Sequence, residues 1–595
     1  MDEHALHEMI GQVKTGDLSR RAFIRAMTTL GLTAPMAAGM LAAAGVARAQ
    51  ARSTFTPTRR GGGGPLRVLW WQAPTLLNPH FGTGTKDLDG SRIFYEPLAA
   101  YDPDGNLVPI LADRIPTFDN GDLGRDGTWV VWQLKKGVQW HDGKPFTAED
   151  IVFNWEYAAD PATAGVWIQS YRDIDRIERL HDHAVKLVFK KPTPFWFDAF
   201  CSNRAVIPKH LFGAYKGAKS REAPTNLKPV GTGPYRFVDF KPGDMVRAEL
   251  NPNYHMPNRP FFDTLEMKGG GDAASAARAV LQTGEFDYAW NMLVEDDILR
   301  RLEQGGKGRV EIWPTSGIEH IQCNFTDPWR EVDGERSSAK TTHPVLSDPP
   351  VRQALNLLVD RSSMQEEIFG RQAQATANFL NAPARFRSQN MKWEFDPEKA
   401  NRLLDAAGWK RGPDGIRAKD GKRLRFVYQT SINAPRQKTQ AIVKQACVKA
   451  GIDVELKSVV ASVYFSSDAA NPDTYSHFYT DLQMYNTAIG IDPQLGMRQF
   501  VSSEVSAKEN KWAGRNITRW RNEEYDRIYK AAENEMDPVK RAAMFIRMND
   551  LLIQNVVVIP IVWRNGVGAA TARLRGMVLS GWDSTLWNLA NWHKA

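Results

Sequence analysis

The stretch from Thr128 to Tyr157, TWVVWQLKKGVQWHDGKPFTAEDIVFNWEY, constrains this chain more than any other. Its first part alternates, with Trp129 and Val131 on one face and Val130, Trp132 and Leu134 on the other, which predicts a strand buried on both sides. Lys135-Lys136-Gly137 ends it. After a short run from Val138 to Trp140, the Asp142-Gly143 pair supplies a tight turn. Thr147, with Asp150 three residues on, approximates a capping box in which Asp stands where Glu or Gln is usual. Ile151, Val152, Trp155 and Ala159 then follow at helical spacing. The unit reads as strand, strand, turn and capped helix.

At 595 residues the chain is too long for one core, so two or three domains are expected. The formal charge of +8 comes from interspersed Lys and Arg without long basic blocks, which argues against nucleic acid as a partner. Ser19-Arg20-Arg21-Ala22-Phe23-Ile24-Arg25 reads as a twin-arginine signal. An apolar run from Ala26 to Val46 follows, then a small-x-small site at Ala47-Arg48-Ala49. The run is rich in Ala and interrupted by Gly31, Pro35, Gly39 and Gly45. It therefore reads as a cleaved leader rather than an anchor, with the mature protein starting near Gln50. No Cys follows until Cys201, so no lipid-anchoring Cys is in place. Cys201, Cys323 and Cys447 are odd in number and lack CxxC spacing, and three buried thiols are expected. Ala51 to Pro65 reads as a flexible leader.

The core KKGVQWHDGKPFTAEDIVF resembles the signature segment of the peptide/nickel class of extracellular solute-binding proteins that feed ABC importers, solute-binding family 5. Gly231-Thr232-Gly233-Pro234-Tyr235, Gly284-Glu285-Phe286-Asp287, Val351-Arg352-Gln353-Ala354-Leu355, Asp396-Pro397-Glu398-Lys399-Ala400 and Ala407-Gly408-Trp409 extend the resemblance over nearly the whole mature chain. The resemblance implies an α/β fold of the type II periplasmic-binding-protein kind, two lobes around a hinge with an extra small domain. It places one discontinuous domain at 66–95, 229–325 and 564–595, the small domain at 96–228 and the opposing lobe at 326–563, after a signal at 1–49 and a leader at 50–65. It further implies a monomer in the periplasm that captures a small organic solute and delivers it to an ABC permease and its ATPase subunits, with the twin-arginine translocase as export partner. No cofactor and no catalysis are expected. The glycine motif at 231–233 lacks the Lys-Ser/Thr and capped helix of a phosphate loop.

The resemblance also supplies candidate ligand-binding residues. The first binding loop, QAPTLLNPH, carries Gln72 and Asn78, and an aromatic position lining the ligand cavity falls on Trp167. Independently of the resemblance, His320, Gln322 and Asn324 alternate along one strand, share a face and are polar candidates. The segment Tyr479 to Gln494 contributes Tyr485, Asn486 and Asp492. In peptide binders this segment carries a Gly-Trp pair and an Asp that pairs with the ligand's α-amino group. Here it is about one residue shorter, Thr487 stands near the Trp and Ile489 or Gly490 near the Asp, while a second acidic cavity position falls on Ala73. An unpartnered buried ligand cation is costly. Neutral, acidic or modified solutes, opine-like conjugates or oligosaccharides among them, are therefore favoured over free peptides. Trp70, Trp71, Trp587 and Trp592 are further candidates for stacking. A nickel chelate is an alternative cargo, although His181-Asp182-His183 reads as a hairpin turn, not a metal pair. No Gly-x-Ser-x-Gly or His-Glu-x-x-His motif supports a secreted hydrolase, and a periplasmic chaperone is the remaining rival.

Overall fold

The computed structural model describes residues 55–595 except 83, 466–470, 511 and 513, with a few positions between 8 and 27. Arg20, Arg21, Ala47 and Ala49 lie outside the described residues. The chain divides into two compact units. Unit 1 comprises residues up to Leu293 with Leu299–Pro314 and Gly566–Ala595; unit 2 comprises Val294–Ile298 and Thr315–Asn565.

Unit 1 contains β1 (Pro65–Leu69), α1 (Thr85–Arg92), β2 (Trp129–Gln133), α2 (Ala148–Ala159), β3 (Ile174–His181), β4 (Ala184–Phe189), β5 (Tyr235–Lys241), β6 (Met245–Leu250), β7 (Thr264–Lys268) and β8 (Tyr288–Ala289). Its main sheet runs β8-β1-β7-β6-β5, with β1 parallel to both neighbours and the rest antiparallel. One core, around Trp70, Phe94, Tyr95, Tyr288 and Trp592, packs on this sheet. A second core lies between the antiparallel sheet β2-β4-β3 and α2, built from Val130, Trp132, Trp140, Ile151, Leu187 and Phe200.

The signature segment folds as its sequence reads, with one correction. The turn closes through Gly143 N–H on Trp140 O, and Gly143 takes φ +86°. The Asp150 carboxylate accepts the Thr147 N–H at 3.0 Å and the Lys209 N–H at 3.0 Å, so the capping box caps the helix and also ties down the start of a short helix at Lys209. In β2, however, Val130 and Trp132 are buried while Trp129, Val131 and Gln133 are half-buried. Helix α2 packs on β3 and β4 from one side only, and on the outer face the Lys186 ammonium lies over the Trp129 ring at 4.8 Å. His181 ends β3 and Asp182-His183 form the hairpin turn.

Gly231 and Gly233 have a packing role. A Cβ at Gly231 would stand 1.9 Å from Phe94 O, and one at Gly233 would stand 2.6 Å from the same atom. The Gly233 N–H donates to that oxygen at 2.8 Å. The two glycines let the returning chain press against the backbone of Phe94, a contact that no larger residue could make.

Two long strands pass from one unit into the other: β9 (Gly308–Cys323) and a strand over Val558–Thr571 near the C-terminus. Unit 2 adds α3 (Pro349–Leu357), β10 (Ala373–Ala375), α4 (Pro397–Ala406), β11 (Arg425–Ser431), α5 (Ala434–Lys449), β12 (Asp453–Val459), β13 (Leu482–Thr487), α6 (Pro538–Gln554) and β14, the strand Val558–Thr571. Its sheet runs β12-β11-β13-β9-β14, with β11 parallel to β12 and β13 and the β13-β9 pair antiparallel. Alternation along β9 divides the interior. Ile321 and Cys323 face a core with Leu355, Leu404, Phe426 and Val443, while Ile318 faces another with Phe379, Phe500, Phe545 and Leu552. Cys201, Cys323 and Cys447 are buried free thiols, and burial pushes the last two up to about 12. No helix among the described residues is long and apolar enough to cross a membrane.

Candidate solute-binding residues

In unit 1 the first binding loop is pinned by its own polar side chains. The Asp87 carboxylate, in the first turn of α1, accepts the Thr75 N–H at 2.7 Å. Asn78 is fully buried: its Nδ2 donates to Asn226 Oδ1 at 2.7 Å and its Oδ1 accepts the His80 N–H at 2.9 Å. Trp167 is half-buried; its indole N–H donates to Pro79 O at 3.0 Å and the Arg204 guanidinium covers its ring at 4.4 Å. Asn78 and Trp167 thus meet on the Asn78-Pro79-His80 turn. Gln72 is exposed and Ala73 is buried. Trp70 is buried, donates to Asp89 and stacks on Trp290; Trp592 is buried, and Trp71 donates to Asn291 O. A cavity of about 1120 Å³ in this unit is lined by Arg92, Glu96, Lys135, His255 and Trp587 among others, and by none of Gln72, Asn78 or Trp167.

In unit 2 the expected face of β9 lies in the interior. His320 is fully buried, with Nδ1 at 3.1 Å from Ile318 O and its ring edge-on to Phe379 and Tyr485; burial pushes it down to about 4, so the imidazole is neutral. Gln322 donates to the Tyr485 hydroxyl at 3.0 Å, and Asn324 donates to Phe478 O at 2.8 Å. Asn486 is half-buried and faces Glu319 across the ladder.

The departing segment leaves no free carboxylate. Asp481 accepts from the Trp329 indole at 3.0 Å, from His343 Nε2 at 3.0 Å and from the Val427 N–H at 2.6 Å. Asp492 is gripped by both terminal nitrogens of Arg541, one at 2.9 Å, and also accepts the Gln494 N–H. Ile489 is buried in a core and Gly490 has no side chain to offer.

One network escaped the sequence reading. Glu319, 2% exposed, takes a two-pronged contact from Arg436 at 3.0 and 3.2 Å and a third from Arg564 Nη1 at 3.0 Å. Burial alone would raise this carboxyl, but the two guanidiniums hold it below the ordinary Glu value. Its sequence signal was a charge between Ile318 and Ile321, with Arg564 directly after the apolar run of β14. Charges in such runs are rarely left unpaired.

The model of the bacterial extracellular solute-binding proteins, family 5 (middle), matches residues 106–508. The chain belongs to this family. Its members are the extracytoplasmic substrate-capturing components of ABC importers. Among curated relatives, the oligopeptide-binding protein AppA of Bacillus subtilis is 27% identical over 482 residues, covering 80% of this chain and 81% of its own. The glutathione-binding protein GsiB of Shigella boydii is 24% identical, covering 84% and 89%. Among solved structures, NikZ of Campylobacter jejuni in complex with Ni(L-His) aligns with a TM-score of 0.74 at 24% identity, over 89% of this chain and 99% of that one. The fold is that of these family 5 binding proteins. No group of three or more His, Cys, Asp or Glu arranged to hold a metal occurs among the described residues.

Proposed function

We propose that this family 5 protein captures a peptide-like or opine-like solute without relying on the solute's ammonium group, and that it binds without catalysing. The observation that carries the reading is the segment from Asp481 to Gln494. Both of its carboxylates are consumed by internal partners, and the amine-anchoring position holds an aliphatic core residue or a glycine. A buried ammonium needs a carboxylate to offset its desolvation, which costs several kcal/mol. A solute with a blocked, acylated or conjugated amine carries no such requirement. Relatives named for oligopeptide, glutathione and Ni(L-His) binding mark how widely cargo varies on this fold.

Native mass spectrometry of the protein isolated from periplasm, with the released compound identified, tests this directly. A conjugated or blocked amino-acid derivative is expected, and calorimetry should rank a free dipeptide below its N-acetyl counterpart. A tightly held free dipeptide would sink the reading. Export through the twin-arginine route is part of the same proposal, on the strength of Arg20-Arg21 ahead of the Ala26–Val46 run and the Ala47-Arg48-Ala49 site. Replacing Arg20 and Arg21 by Lys should leave the precursor in the cytoplasmic fraction.

A further inference from the structure

In unit 2, Glu319, Arg436 and Arg564 form a closed group in which two guanidiniums share one carboxylate, leaving one positive charge in excess. Neither arginine forms an ion pair with a second carboxylate among the described residues. Nearby Lys438 is already matched by Glu295 at 2.8 Å. Arg436 is saturated toward the interior: its Nε and Nη2 bond Glu319 and its Nη1 donates to Ser431 Oγ at 2.8 Å. Arg564 is not. Only its Nη1 is engaged, and its Nε–H and Nη2–H groups have no partner among the described residues although the side chain is only 13% exposed. A desolvated guanidinium with open donors in a fixed fork is a receptor for a carboxylate.

The surroundings give the place and the company of that receptor. In an open α/β sheet the ligand crevice lies outside the carboxyl ends of the parallel strands. β11, β12 and β13 end at Ser431, Val459 and Thr487, and Glu319 stands opposite Asn486, one residue before the end of β13. Arg436 sits in the first turn of α5, capped by Asn433, where the helix dipole also favours an anion. Beyond the same strand ends, Ile432, Val460 and Phe465 are 52%, 55% and 44% exposed, and the Arg436 guanidinium lies 5.9 Å from the Phe465 ring. Exposed aliphatic and aromatic surface past the strand ends, next to the Arg436 that shares Glu319 with Arg564, matches one kind of small molecule.

We infer that Arg564, braced by Glu319 and Arg436, receives the carboxylate of the transported solute, and that Ile432, Val460 and Phe465 receive an apolar group beside it. The cargo is then an organic acid with an apolar substituent. Removal of the amine anchor and provision of a spare guanidinium are two halves of one charge selection, against cations and for anions. This inference rests on the solute-binding reading given above.

The test compares wild type, Arg564→Gln, Arg564→Lys and Ile432→Glu, each isolated from periplasm. Released compounds are identified, and the proteins are then titrated with Leu-Leu, N-acetyl-Leu-Leu and Leu-Leu amide. The expected result is an organic acid in the wild type, binding of N-acetyl-Leu-Leu in preference to the amide, and about a 10- to 100-fold loss of affinity in Arg564→Gln. Arg564→Lys should recover part of it. Ile432→Glu adds a carboxylate at an exposed position, so it should weaken the acid without disturbing the fold. It keeps the test decisive should Arg564→Gln fold poorly. A neutral or cationic cargo, or unchanged acid affinity in Arg564→Gln or Ile432→Glu, would overturn the inference while leaving the solute-binding reading intact. Absence of any released compound, together with no change in melting temperature with any of the three probes, would overturn both.

Discussion

Glu96 in unit 1 and Glu319 in unit 2 are both almost completely buried, yet they are satisfied in opposite ways. Glu96 accepts from the Tyr254 hydroxyl at 2.8 Å, the Thr232 hydroxyl at 3.0 Å and His255 Nε2 at 3.1 Å. Those donors come from the returning chain, so Glu96 staples the Gly231-Thr232-Gly233 passage to the strand ends beside it. Glu319 is held only by cations, and by one more than it can neutralise. Two hydroxyls and an imidazole matched to one carboxylate fix a fold, whereas an oversupplied guanidinium cluster keeps a charge in reserve. The first pattern is architecture, the second is the kind of residue set that can act on a ligand.

The largest expected effect breaks this comparison at its strong end. Glu319→Gln leaves two buried guanidiniums without an anion and should destabilise unit 2 by about 3–5 kcal/mol. Glu96→Gln keeps an acceptor for one of the Tyr254 and Thr232 hydroxyls, the other can turn to accept from the new amide, and the change should cost only about 1–2 kcal/mol. Hydrogen exchange of the unliganded protein, resolved to the amides of β9 and β13 for one variant and of β5 and β6 for the other, separates the two. Equal losses would mean that the excess charge has no energetic identity.

The pH dependence is next in size. His80 in unit 1 and His320 in unit 2 are buried and neutral, each pushed from 6.5 to about 4 by burial, with the Asn154 hydrogen bond opposing the shift in His80. Between pH 6.5 and 4 the unfolded chain binds a proton that the folded chain refuses, so stability falls as pH falls through that window. The loss is roughly 3 kcal/mol for each histidine when complete. Asp89 works the other way in unit 1. Burial raises it from 3.8 to about 6, so the folded state keeps a proton that the unfolded state has lost, and stability falls as pH rises from 3.8 to 6. His320→Gln should flatten the acid slope of unit 2 by one proton, and Asp89→Asn should steepen that of unit 1 by one. Unfolding free energies measured between pH 4 and 7 read both slopes, and unchanged slopes would refute the assignment.

The two units also differ in how much of them the sequence disclosed. In unit 1 the signals are local: an alternating strand, an Asp-Gly turn and a Thr-x-x-Asp cap lie within thirty residues, and each is decided by its neighbours in the chain. The error there, a strand expected to be buried on both faces, arose because apolar residues occur on both sides of β2 while α2 packs on one side of the sheet. In unit 2 the polar face of His320, Gln322 and Asn324 was visible as a period of two, but that period says only that the residues share a face. That the face is the domain interior depends on Tyr485 and Phe379, which are distant in sequence. Asp492 reads as a free acid until Arg541 closes on it from 49 positions away. The Glu319 network is less legible still, since its members are spread over more than 240 positions and no local pattern links them. Pairings of that kind are fixed by topology, and topology is what the family resemblance supplied.

The smallest expected effect sharpens the comparison most. Arg564→Gln removes the excess cation and leaves Glu319 with Arg436, a one-to-one pair with a two-pronged contact. Burial already works against the Arg564 charge, holding its pKa below the ordinary value despite the carboxylate beside it. The lost attraction to Glu319 and the relieved repulsion and desolvation therefore nearly cancel. Unliganded stability should change by no more than about 0.5 kcal/mol. In that background Glu319→Gln strands one guanidinium where it otherwise strands two, so its cost should shrink by about 1–2 kcal/mol, a coupling that a double-mutant cycle isolates. A residue set aside for a ligand should be nearly silent in the empty protein and strongly coupled to the carboxylate that braces it. Additive losses, or a large loss from Arg564→Gln alone, would instead make Arg564 a member of the fold like the donors around Glu96.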